Sequence, residues 1–149
     1  MIYPKDKPKE PVITYIITEP VAEEVLSLDE VKSFLVVDYD DFDTLLTRLI
    51  KAVRINFERW TGIAIGERQI ELKGDYESEY AYMPLEPITT QAGANQTVGY
   101  TRENCPDDII IAMQEVIHTC FENRDNSSKY NISDLCQEAS KGFRRRVGI

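Results

Sequence analysis

The chain has 149 residues, enough for one ordinary domain or one domain with arms, and is 42% hydrophobic, 29% charged and 9% aromatic, as in water-soluble globular proteins. Seventeen Lys and Arg against 26 Asp and Glu give a net charge of −9, which argues against wrapping nucleic acid by general phosphate attraction. No apolar run approaches the ~20 residues of a membrane span, and the opening stretch has no apolar core of a secretory signal.

Met1–Pro11 is rich in Pro, Lys and Glu and reads as an extended arm. Val12–Thr18 (VITYIIT) is β-branched and aromatic, which predicts a short strand ending before Pro20. That strand pairs either inside its own subunit or on a neighbour's sheet. Ser27-Leu28-Asp29-Glu30 has the form of a capping box, in which Ser27 accepts from the Glu30 amide and the Glu30 carboxylate returns a bond to the Ser27 amide. A short helix over 28–37 follows, with Leu28, Val31, Phe34 and Leu35 on one face. Asp38-Tyr39-Asp40-Asp41 breaks it, and Asp40 or Asp41 suits the N-cap of the next helix.

Residues 42–60 carry the clearest pattern. Phe42, Leu45, Leu46, Leu49, Ile50, Val53, Phe57 and Trp60 recur at three- and four-residue steps, predicting a long amphipathic helix with Gly62 as its C-cap. Arg48, Lys51, Arg54, Glu58 and Arg59 fall on the other face and read as a solvated strip, or as a surface for an acidic partner. The period then changes to two in Gln69-Ile70-Glu71-Leu72-Lys73, a half-buried strand. Residues 76–88 read as a crossing segment with a strand at one end, and 89–104, rich in Gly, Thr, Asn and Gln, as a loop or irregular hairpin.

A second long helix follows Pro106, with Ile109, Met113, Val116, Ile117, Cys120 and Phe121 as its stripe and Arg124 near its end. Ser133 or Asp134 caps a last, weaker helix running to about Ser140, and the chain closes on Gly142-Phe143-Arg144-Arg145-Arg146. The expected fold is mainly α: a small helical domain on two long amphipathic helices, with a short β-hairpin or strand region and extended arms. Its parts are an N-terminal arm with a strand over 1–20, a helical domain over 21–140 and a basic tail over 141–149.

Signals of chemistry are weak. Cys105, Cys120 and Cys136 are odd in number and widely spaced, which fits free thiols in a reducing compartment better than disulfides. Glu115-Val116-Ile117-His118 is half of a di-iron E-x-x-H pair, but His118 is the only histidine, so a self-contained site of that kind is excluded and His118 reads as a hydrogen-bonded helix-face residue. There is no G-x-S-x-G elbow, no phosphate-cradling glycine loop, and the acids at 38–43 lack the glycine and glutamate of a calcium loop. The sequence therefore offers no catalytic residue, metal site or cofactor site.

Leu26-Ser27-Leu28-Asp29-Glu30-Val31-Lys32-Ser33-Phe34-Leu35, the acidic turn Asp38–Asp43, and the long helix ending Phe57-Glu58-Arg59-Trp60-Thr61-Gly62 resemble the tailed-phage head–tail connector family, also called adaptor or head-completion proteins. Pro84-Leu85-Glu86-Pro87-Ile88 is similar to that family's proline-flanked strand, and Pro106–Met113 through Arg124 to its later helix. The resemblance spans roughly residues 21–124 plus the tail and rests on order and spacing over two helices.

The resemblance implies a structural virion protein and no enzyme. It implies a homo-oligomeric ring, commonly of twelve subunits, docked below the portal protein in the virion neck after assembly in the host cytoplasm. Such a ring extends the DNA channel, presents a platform for the stopper or tail-completion protein, passes DNA without sequence-specific binding and needs no membrane. The docking arm maps onto Phe143, Arg144, Arg145 and Arg146. Aromatic and apolar flank residues, Tyr15, Ile17, Tyr80 and Tyr82, are candidates for the head-to-tail subunit contact, and Tyr76 and Tyr100 share the same polar middle of the chain. The rival readings are a small helical regulatory or nucleic-acid-binding protein, opposed by a 106–124 helix whose one positive residue is Arg124 at its end, and an unrecognised enzyme using Glu115, His118 or the tyrosines.

Overall fold

A computed structural model of the chain describes residues 12–143. Among them the helices are α1 (Leu28–Leu35), α2 (Asp43–Thr61), α3 (Asp107–Glu122) and α4 (Ile132–Ala139). The strands are β1 (Thr14–Glu19), β2 (Arg68–Lys73), β3 (Ile88–Ala92) and β4 (Asn95–Val98), joined in one antiparallel sheet of order β1-β2-β4-β3.

The expected mainly α class is therefore corrected to a mixed α/β fold, 44% helical with a four-stranded sheet. The reason lies in 88–98. All five residues of β3 are exposed, so no buried alternation marks it, and β4 is only four residues long. Ala92 pairs with Asn95, leaving Gly93 and Ala94 as a two-residue turn. Gly93, at φ 61, supplies the positive φ that such a hairpin needs at its first central position. Gly99 closes the same strand where a Cβ would fall 2.1 Å from the Gly66 carbonyl oxygen, so no larger residue fits.

Helix α1 starts as its sequence predicts, with Ser27 Oγ accepting from the Glu30 amide at 3.1 Å. The return bond differs: the Glu30 carboxylate accepts from the Ser27 hydroxyl at 3.0 Å. The helix ends early, at Val36, which lies in the left-handed region at φ 57 and is 89% exposed. A β-branched residue seldom adopts that conformation. Helix α2 ends at Gly62, at φ 74, whose amide donates to the Glu58 carbonyl at 2.9 Å.

Two apolar clusters result. The larger gathers Leu26, Val31, Leu46, Val53, Phe57, Met113, Ile117 and Cys136 between the four helices. Trp60, only half-buried, donates from Nε1 to Ser133 Oγ at 3.3 Å and so fastens α4 to α2. The smaller cluster, Ala64, Ile70, Leu72, Leu85 and Val98, lies against the inner face of β2 and β4.

Candidate functional site

Register decides which residues of the edge strand face inward. Tyr15 is paired with Leu72 and Ile17 with Ile70, so both share the face whose β2 members are buried to within 2%. Yet Tyr15 is 37% and Ile17 51% exposed, because the helical layer does not extend beneath β1. The strand pairs inside its own subunit, which resolves one of the two expected alternatives, and leaves its outer edge open.

A groove of about 380 Å³ runs between β1 and α2, with Ile17, Pro20, Val21 and Ile55 at its lips. Its floor is ionic. Arg54 Nε donates to Glu24 Oε2 at 2.6 Å and Arg54 Nη1 to Glu58 Oε1 at 2.8 Å. Arg68 Nη2 pairs with Glu58 Oε2, and that oxygen also accepts from the Ile65 amide at 2.8 Å. Arg54 was expected on a solvated strip but is buried, since these carboxylates neutralise it where α2 meets the sheet. Arg68 went unnoticed in the sequence, although its parity with Ile70 and Leu72 puts it on the inner face. The remaining basic residues of α2, Arg48, Lys51 and Arg59, are exposed as expected.

The acids at 38–43 do not cap α2. Phe42 holds the N-cap position without a side-chain bond, while Lys32 Nζ, from α1, lies 2.9 Å from Asp40 and 2.8 Å from Asp43. Asp43 and Asp40 hold the Lys32 ammonium well above its usual range, and Lys32 in turn draws Asp40 below the ordinary carboxylate value. The turn is an ionic brace between two helices. Phe34 and Tyr39 remain exposed beside it.

Arg124, the cation at the end of α3, is exposed but engaged within its own subunit. Its guanidinium stacks 4.5 Å from the Phe42 ring and 4.3 Å from the Phe121 ring, and Nη1 donates to the Phe121 carbonyl at 2.8 Å. Nearby, an apolar recess of about 220 Å³ is lined by Leu45, Leu49, Cys120 and Ile132.

The tyrosines do not gather. Tyr76 packs on the sheet cluster and Tyr100 on the helical one. Tyr80 is 49% exposed and Tyr82 half-buried, in the segment between β2 and β3. Phe143 ends a 3-10 turn over Lys141–Phe143 and packs half-buried on the helical cluster. Arg144, Arg145 and Arg146 lie outside the described residues.

His118 sits on the outer face of α3, edge-on to the Phe34 ring at 6.1 Å and 3.7 Å from Glu122, a contact too long for a hydrogen bond. Among the described residues no group of three or more His, Cys, Asp or Glu side chains is arranged around a metal-sized point, and no helix is long and apolar enough to cross a membrane. All three cysteines are free. Burial pushes the Cys105 thiol up to about 11 and Cys136 to about 12, and raises Cys120 as well.

The described residues thus offer an open sheet edge and an apolar-lipped groove, beside an ionic brace between two helices. Among protein families, the model of phage gp6-like head-tail connector proteins matches residues 25–146. The chain belongs to that family, whose members are structural virion proteins joining head and tail. The match includes Phe143–Arg146 and leaves out β1. No curated protein and no solved structure matches the chain.

Proposed function

We propose that the chain works as a ring, of about twelve copies by the family's habit, which sits below the portal, lengthens the DNA channel and offers a platform to the stopper or tail-completion protein. The family match over residues 25–146 carries this reading. On it, subunits assemble in the host cytoplasm and end in the virion neck. Phe143, Arg144, Arg145 and Arg146 form the portal-docking arm, while Tyr15, Ile17, Tyr80 and Tyr82 serve subunit contact.

Charge distribution supports the division of labour. Residues 12–143 hold eleven Lys and Arg against 24 Asp and Glu, a net charge of −13, while Arg144–Arg146 add three positive charges in a row. An acidic body repels the phosphate backbone of passing DNA, and an arginine-rich end suits an acidic protein surface. Duplex DNA therefore slides through without sequence-specific binding. Tight, salt-sensitive binding of duplex DNA to the assembled ring would contradict this part.

The experiment is co-sedimentation with portal protein, followed by light scattering of the complex. Native chain should travel with portal as a multi-copy ring. Replacing Arg144, Arg145 and Arg146 by Ala should leave the fold intact and weaken docking; unchanged co-sedimentation counts against the arm assignment.

A further inference from the structure

We infer that neighbouring copies join their sheets edge to edge, the outer edge of β1 in one copy adding to the outer edge of β3 in the next. The inference rests on the ring reading above and specifies its subunit contact. The two edge strands lie at opposite ends of the order β1-β2-β4-β3, so one copy presents one edge on each flank, as a head-to-tail contact requires. Every residue of both strands is exposed, and no backbone hydrogen bond from elsewhere in the described chain covers either outer edge.

Natural proteins blunt such edges with charged side chains such as Lys, with Pro, with short strands or with bulges, and of these both edge strands carry a register irregularity, between Ile17 and Glu19 and between Ile88 and Thr90. The eleven residues of the two strands contain neither Lys nor Pro, and Glu19, at the end of β1, is their one charge. Each edge also leaves an inner-face isoleucine half-uncovered: Ile17 at 51% and Ile88, paired with Val98, at 37%. Strand addition would bring these apolar residues together over the groove beside Ile55.

Direction agrees as well. Strands alternate in this sheet, so β1 and β3 run oppositely within one copy. A rotation about an axis roughly along the strands brings β1 of one copy antiparallel to β3 of the next, the more stable pairing. A two-fold contact would instead pair β1 with β1 and stop at a dimer.

The test uses the full chain carrying Cys120→Ser, incubated with portal protein, with Ile16→Cys combined in turn with Thr89→Cys, Thr90→Cys and Gln91→Cys. Cys105 and Cys136 are buried, with thiols at about 11 and about 12, and stay unreactive at neutral pH. A short bis-maleimide should join at least one pair into a ladder running past the dimer, with no ladder from any single variant. Rings without a ladder overturn edge pairing and leave the ring reading standing. Dimers from Ile16→Cys alone put β1 against β1 and also overturn it. Failure to form any ring, with native chain and portal, overturns the ring reading and edge pairing with it. As a second measurement, Ile16→Lys should raise the concentration needed for ring assembly by about tenfold or more with an unchanged monomer circular dichroism spectrum. Unaltered assembly by that variant contradicts the pairing.

Discussion

In the helical layer Phe57, Leu46, Met113 and Ile117 are fully buried and every helix contributes to one cluster, whereas in the sheet only β2 and β4 bury side chains and the flanking strands bury none. The helices close on themselves by stripes at a 3.6-residue period, so most of their apolar area is removed from water, with Phe34, Ile55 and Ile111 left part-exposed. The sheet gives three apolar side chains, Ile70, Leu72 and Val98, to a five-residue cluster and leaves isoleucines and backbone groups at both edges facing solvent. One region secures the subunit, and on the proposed reading the other is completed by assembly. Substitutions should separate the two.

The largest effect belongs to the helical layer. Phe57→Ala should cost about 3–5 kcal/mol of unfolding free energy in a urea titration, because the ring is fully buried where α2 meets its neighbours. Glu58→Gln should cost about 3 kcal/mol, since it strips the carboxylate from buried Arg68 and leaves buried Arg54 with Glu24 alone at the junction of helix and sheet. A loss below about 1 kcal/mol there would mean that the network is not what joins the layers.

Val36→Gly should stabilise by about 1 kcal/mol, because glycine occupies the left-handed position without a Cβ penalty and the valine side chain buries little to lose. Smallest of all, Tyr15→Ala and Ile17→Ala should move monomer stability by about 0.5 kcal/mol or less while impairing assembly. If they destabilise the monomer as strongly as Phe57→Ala does, the contrast between the regions collapses.

How much of this the sequence disclosed follows from burial. The stripes of α2 and α3 are written at the helical period, and both helices run within a residue or two of their expected limits. The β2 alternation was equally plain, and carried the inward parity of Arg68 with it. Strand β3 was hidden because none of its side chains is buried, so polar residues serve as well as apolar ones. The acids at 38–43 were misread as caps because their partner, Lys32, belongs to another helix, and only the tertiary fold brings it to 2.9 Å and 2.8 Å. Likewise Arg54 shows its i,i+4 partner Glu58 in the sequence, but not Glu24 or the second arginine that shares Glu58. Of the expected subunit-contact residues, Tyr15, Ile17 and Tyr80 are exposed and Tyr82 is half-buried; of the expected docking residues, Phe143 is half-buried and the arginines fall beyond the described residues.

The most direct measurement is an electron cryomicroscopy reconstruction of the virion neck with this subunit located by an added tag. The account predicts several copies in a closed ring between portal and tail, helices packed within each subunit and sheets meeting between subunits. A neck lacking the chain, or holding it as isolated copies off the channel axis, would contradict the account.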